Sequence, residues 1–393
     1  MEELIQKRLM FFFMIVFLIS TLNAQTWNPP KKLTWNSGDS IWPSAASDSS
    51  NTIHLVWHDE TPGNREIYYK NSTDGGTTWS ILKRLTWNSG YSECPSIAID
   101  SNDVIHLVWQ DDSPGNREIY YKNSSDGGAT WSAATRLTWK EGDSENPDIA
   151  IDSSNTIHVF WQDVSPGHAE LFYKKSSDTG STWSVQRITW SSGHSIRPDA
   201  TVDSSDNILL VWVDRTPGNY EIYFKQSTDS GSTWLGTNRL TWTSAEDDSP
   251  AITTDSSNNI HIVWQDDLGG ENRLHYKRST DNGSSWTKQR LTWTTSAKGS
   301  PFITVDMSDY IHIVWGDNMS GNFEIYHKRS TNTGNTWTQT RLTWTADASV
   351  LPIILTYSEP TVKWIPAYTH RIFVFWSDIT PGNFEVYCKS GVY

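Results

Sequence analysis

Apolar residues along this chain gather in short runs and do not recur at helical spacing. The segment Ile-His-Leu-Val-Trp at 105–109 is nearly all apolar, and close copies begin at Ile53, Ile157, Ile208, Ile260, Ile311 and Ile372. Such a run, bounded by turn residues, predicts a strand covered on both faces. Three shorter segments accompany it in each copy. In the second copy the four predicted strands are 96–100, 105–111, 118–123 and 131–139, separated by Gly, Pro, Asn and Asp. The last of them carries Arg136 beside Thr138, and its counterparts also carry Lys or Arg. Charge of that kind suits an outermost edge, where it discourages pairing with another molecule.

The copies keep a strict period. Three tryptophan series recur every 51 or 52 residues: Trp57 to Trp376 in the apolar strand, Trp35 to Trp344 closing Leu/Ile-Thr-Trp, and Trp27 to Trp337 after Thr or Ser. They take up 21 of the 23 tryptophans, so the tryptophan content reflects the repeat and not a binding site as such. Seven four-stranded units whose inner strands need cover on both faces predict an all-β fold, a seven-bladed β-propeller of antiparallel blades. The segment Thr26 to Trp35 matches Thr78 to Trp87, while the chain ends at Tyr393 just after a third strand. The N-terminal strand is therefore expected to complete the last blade, where Pro29 and Pro30 are tolerable on an edge. An insertion at 357–370, containing Trp364, interrupts the seventh copy and is a candidate partner contact, against the plain reading of a surface loop.

Composition adds three constraints. Residues 1–24 read as a signal peptide, with Lys7 and Arg8 before an apolar run and Ala24 at the cut, which leaves 25–393 as one propeller domain in a secreted, periplasmic or extracellular protein. The run is shorter than the ~20 residues a spanning helix needs, so no stable membrane span is expected after cleavage. A net charge of −14 with no basic patch argues against nucleic acid. Cys94 and Cys388 lie in units that are not neighbours in a seven-membered ring, so no disulfide framework is expected. A monomer with neither cofactor nor metal is expected.

Between the third and fourth strands stands Ser-x-Asp-x-Gly-x-Thr/Ser-Trp, with Asp74, Asp126, Asp178, Asp229 and Asp281 at the acidic position and Asn332 in the sixth copy. The carboxylate would accept backbone amides, the glycine would take positive φ, and the tryptophan would pack beneath the turn. Asn332 keeps the acceptor and drops the charge, which favours a structural role. These motifs resemble the Asp-box (BNR) repeats of sialidase-like propellers over the whole mature chain. The resemblance implies the fold and says little about activity, because in that family the boxes lie opposite the active site. The phrase at Asp111 to Tyr120 is also similar to one in TolB-like propellers.

A sialidase active site needs converging arginines. The nearest phrase to that family's first arginine motif is Ile196-Arg197-Pro198, which lacks the residue between Arg and Pro, and Arg84, Arg136, Arg187, Arg239, Arg290 and Arg341 fall on the outer strand. Residues repeated in many blades point to packing: the Glu-x-Tyr pairs such as Glu66 and Tyr68, the series His54, His106, His158, His261 and His312, and the turn-capping series from Asp59 to Asp378. A single central site must draw on positions where the blades differ. Those positions precede the first-strand proline. Trp42 is the candidate stacking platform there, Arg197 the anion contact, and Glu93, Glu145 and Asp248 the polar contacts. The favoured reading is a non-catalytic propeller that binds a glycan or a partner protein. A sialidase-like glycoside hydrolase with an altered site and a TolB-like interaction scaffold are the alternatives.

Overall fold

A computed structural model describes residues 25–393 except 62, 166, 269, 295, 297, 363, 364, 380 and 381. The expected leader at 1–24 and Trp364 lie outside the described residues. Seven antiparallel sheets form the seven blades of the propeller. Blade one consists of Ser40–Ser47, Ile53–Asp59, Glu66–Ser72 and Lys83–Arg84, hydrogen-bonded in that order. Each second strand is buried along its length where it is fully described, because its two faces meet the blades on either side. The core is accordingly seven seams and not one centre. At one seam Val56, Ile67, Tyr69 and Leu85 of the first blade pack on Ile97, Ile105, Leu107 and Trp109 of the second.

Closure follows the expected route. Thr26 pairs with Val392 and Trp27 with Gly391, then Lys31 pairs with Cys388 and Lys32 with Tyr387. Pro29 and Pro30 fall in the gap between the two short ladders, where no amide is required. A second ring of contacts ties the turns that join first and second strands. Ser49 donates its amide and hydroxyl to Asp103 of the next blade at 2.8 and 2.7 Å, and Ser153 and Ser256 do the same to Asp206 and Asp309. In the seventh blade the insertion lengthens the first two strands to Ser349–Val362 and Ile365–Asp378. His370 on this extension meets Ser308 of blade six at 2.9 Å and so carries the series on to blade seven.

Two expectations about the strands need correction. The fourth strands are two to four residues long: Ser184–Arg187 in the third blade starts directly after the Asp-box Trp183, whereas in the second blade one extra residue between Trp131 and Arg136 leaves only Thr135–Arg136 in the ladder. Their arginines also do not guard an open edge. Arg84 turns inward to Glu66 at 2.7 Å, and Glu66 is 0% exposed, so the guanidinium neutralises a buried carboxylate.

Candidate functional site

Every first strand contains a proline. Proline offers no amide to the ladder, and a register shift sits at that point in each blade, between Ile41 and Ser44 in the first and between Glu93 and Ser96 in the second. The residue before the proline absorbs the bulge. Trp42, Cys94, Asn146, Arg197, Ser249, Ser300 and Leu351 all take positive φ, between 47° and 57°. A non-glycine residue there costs roughly 1–2 kcal/mol. None of the seven is glycine, so at each blade the chain keeps a side chain where the backbone would favour its absence.

These residues line a central cavity of about 640 Å³. Each blade supplies the positive-φ residue, the proline and the residue after it; Asp248, Gln265, Lys298 and Gly299 complete the wall. Trp42 is 45% exposed and presents its indole at the mouth. Arg197 pairs with Asp248 and reaches Ser249 at 3.3 Å, so the pocket's one arginine arrives already neutralised. The structure thus brings Trp42, Arg197 and Asp248 to one cavity. Glu93 and Glu145 stand outside its wall. Glu93 is held by Arg65 and by Gln110 at 3.0 Å, and Glu145 by Arg117 at 2.6 Å and Gln162 at 3.1 Å. Both belong to an ion-pair chain across the first three blades.

Asp148 and Asp199 are the residues that sequence reasoning missed. They follow the proline in adjacent blades, where the others have Ser44, Ser96, Ala251, Phe302 and Ile353. Asp148 accepts the Ala200 amide at 2.8 Å and Asp199 the Ile252 amide at 2.7 Å, each reaching into the next blade. Burial raises Asp148 to about 6. Burial raises Asp199 as well, and the Asp148 charge pushes it further. Two acids on one cavity wall that resist ionising together can offer a hydroxyl both a donor and an acceptor. The signal that could have found them is the one that found Trp42, difference between blades, applied two positions later.

Blade five departs from the repeat elsewhere. Asp247 replaces the serine seen at Ser40, Ser92, Ser144, Ser195 and Ser349, and Arg273 and His275 replace Glu and Tyr. Burial, then Asp266, raises Asp247 to about 7, while burial, then three neighbouring cations, lowers His275 to about 3. Asp247 Oδ2, Asp266 Oδ1, Arg273 Nε and His275 Nδ1 are buried without hydrogen-bond partners. Among the described residues, no group of three or more His, Cys, Asp and Glu side chains is arranged to hold a metal ion.

The repeated series serve the scaffold. Asp59 accepts the Thr61 amide at 2.8 Å and the Ser40 hydroxyl at 2.7 Å, which caps the turn as expected. His54 is fully buried, its Nδ1 2.8 Å from the Tyr69 hydroxyl and its Nε2 3.3 Å from Asp48. Tyr68 stacks on Trp57 with ring centres 6.3 Å apart. In the Asp boxes, Asp74 accepts the Thr78 amide at 2.8 Å and hydroxyl at 2.6 Å; Asn332 accepts the Thr336 amide at 2.9 Å and donates to its hydroxyl at 2.9 Å. A neutral amide performs the same turn. These hydrogen bonds hold Asp126, Asp178 and Asp229 down at about 2. Cys94 and Cys388 are both free thiols, and burial pushes Cys94 up to about 12. No helix among the described residues is long and apolar enough to cross a membrane.

No protein-family model matches the chain, and no curated protein matches it. Solved structures do. A protein of unknown function from Dyadobacter fermentans superposes with a TM-score of 0.60 at 12% identity, over 94% of this chain and 99% of that one. An ulvan lyase of polysaccharide lyase family PL25, solved bound to -[GlcA(1-4)Rha3S]-, gives 0.62 at 12% identity over 91% and 95%. The NanB sialidase of Streptococcus pneumoniae gives 0.52 at 14% identity over 73% of this chain and 67% of that one. At such identities the likeness establishes a propeller fold shared with sialidases and with a polysaccharide lyase, and it assigns no chemistry.

Proposed function

We propose that the chain is an exported carbohydrate-binding propeller that takes a sugar residue into its central pocket. The observation that carries this reading is the ring of seven strained, non-glycine residues around one cavity, because strain of that kind persists where side chains are needed at a fixed place. Trp42 supplies a stacking face for the apolar side of a sugar ring. Asn146, Ser249 and Ser300 supply neutral hydrogen bonds, and Asp148 and Asp199, whose ionisation burial disfavours, suit hydroxyl groups. An anionic sugar is less well served, since Arg197 is already paired and the acids oppose it. Carbohydrate-active propellers among the structural neighbours agree with a glycan ligand, and the signal-like sequence of residues 1–24 is the ground for proposing export.

A glycan array probed with the mature chain and with a Trp42→Ala/Arg197→Ala double variant tests the proposal. Binding by the parent with at least a tenfold loss in the variant is expected; equal binding by both overturns it. A hydrolytic reading rests on one observation, the two adjacent acids with raised pKa. Turnover of fluorogenic glycosides that disappears in both Asp148→Asn and Asp199→Asn would establish that reading in place of simple binding.

A further inference from the structure

Seven tryptophans stand in the open. Trp35, Trp87, Trp139, Trp190, Trp242, Trp293 and Trp344 are each 66–70% exposed, although the Leu/Ile and Thr before them are buried. The buried pair fixes the indole. Thr86 accepts the Ile67 amide at 2.8 Å, and Leu85 donates its own amide to Ile67 at 2.8 Å, so Trp87 projects from an immobile base. Beneath Trp87 lie Arg84 of its own blade and Lys122 of the next, each 5.9 Å from the ring centre. A lysine from the following blade holds the same place at Trp35, Trp139, Trp242, Trp293 and Trp344. These cations are committed to other partners, Arg84 to Glu66 and Lys122 to the Leu85 carbonyl.

The Leu/Ile-Thr-Trp phrase leaves the fourth strand of one blade and leads into the first strand of the next. The indoles therefore encircle the central pocket from the outer seams, at the end of the propeller where the first strands begin. Shelter for an Arg and Glu pair explains one face of the rings at Trp87, Trp139, Trp190, Trp242 and Trp344 and leaves the outward face of all seven unexplained. We infer that this ring of indoles is a second, multivalent binding surface, on which spaced residues of one uncharged polysaccharide chain stack.

Three observations select that occupant. The indoles are separated by blade seams lined with polar residues such as Asn88 and Ser89, so they do not merge into the single apolar patch that a folded protein would cover. Their nearest lysines turn inward to backbone carbonyls, with Lys122, Lys277, Lys328 and Lys389 buried, so these ammonium groups are not presented to an anionic ligand. The platforms are alike in exposure and support, and repetition of one weak site fits a ligand that repeats its own unit. Each contact is weak alone, and tethering along one chain multiplies them.

The test is independent of the pocket. Retention of the mature protein in gels containing β-glucan, xylan, arabinan or galactomannan is compared between the parent, the Trp42→Ala/Arg197→Ala pocket variant and a variant with Trp87, Trp139, Trp242 and Trp293 all changed to Ala. Retention of the parent by at least one polymer, a fall of no more than about tenfold in the pocket variant and a fall of about 100-fold in apparent affinity for the folded four-tryptophan variant are expected. If that variant does not fold, N-bromosuccinimide oxidation of the native protein, mapped by mass, replaces it, and protection of the seven indoles by the retained polymer is expected. No retention by any polymer, full retention without the four tryptophans, or unprotected indoles overturns the inference. Loss of retention in the pocket variant alone overturns it too, and returns the binding to the central site.

Discussion

At Asp247 a repeat that elsewhere uses serine places a carboxylate against Trp264, whose indole N–H it accepts at 2.9 Å, and leaves the second oxygen without a partner. Burial and the Asp266 charge raise it to about 7, against an ordinary 3.8. Between these values the folded chain keeps a proton that the unfolded chain has released, so stability falls as pH rises through the window and the cost is complete above it. Asp247→Asn retains the acceptor and removes the titration. Its unfolding free energy from urea titration should exceed the parent's at about pH 8, by roughly 1–3 kcal/mol, and converge with it near pH 4. Equal free energies at both pH values would mean that the carboxylate is charged and accommodated in the fold. This side chain, like Asp148 and Asp199, was legible only as a departure from the repeat. What Asp148 and Asp199 do depends on the neighbouring blade across the seam, whose amides they accept, and the sequence of a single unit does not contain it.

The Asp-box turn is the element in which local code and packing can be separated. Gly127 and Gly128 both take positive φ, 66° and 85°, yet a Cβ on Gly127 meets nothing within 4 Å while one on Gly128 would lie 2.1 Å from the Tyr69 hydroxyl of the preceding blade. Tyr69 is itself fixed, bonded to His54 at 2.8 Å and to the Gly127 carbonyl at 3.1 Å. Gly127→Ala should cost about 1 kcal/mol, the usual penalty for the left-handed region, whereas Gly128→Ala should cost roughly 3 kcal/mol or more through overpacking as well. Thermal unfolding of the two variants decides it, and equal losses would assign the second glycine to backbone conformation alone. The box motif announced this turn plainly. The shortness of the fourth strand was not announced, because the Trp that closes the box and the Trp that closes Leu-Thr-Trp bracket a segment of strand-like composition. Only the pairing of Arg136 with Tyr120 and of Thr135 with Tyr121 shows how little of it is ladder. The first-strand bulge was visible as a proline in every copy, but proline by itself does not say which neighbour turns left-handed.

For the whole molecule the seven-fold repeat fixed the architecture, and the ring succeeds or fails at its clasp. Deletion of residues 25–35 removes both short closing ladders and the buried Leu33 and Thr34, and exposes Cys388 and Tyr387. Rapid modification of Cys388 by a maleimide is expected in the truncated chain, against slow modification in the parent, where burial keeps that thiol protonated and covered. Unchanged labelling would show that the seventh blade seals without its fourth strand. The clasp also has a temporal meaning. Asn28 and Ser390, which hydrogen-bond across it, are 362 positions apart in sequence, so this contact waits until nearly the whole circle is in place. Blades one to six can assemble against their neighbours as the chain arrives, but the circle has two raw ends until the final strand is delivered, and long-range pairing of this kind is slow. Once joined, it has no terminal repeat to fray, unlike a linear array, which needs capping units. Resistance to unfolding would then be a property of the finished circle, gained in a single late step and lost in the same way.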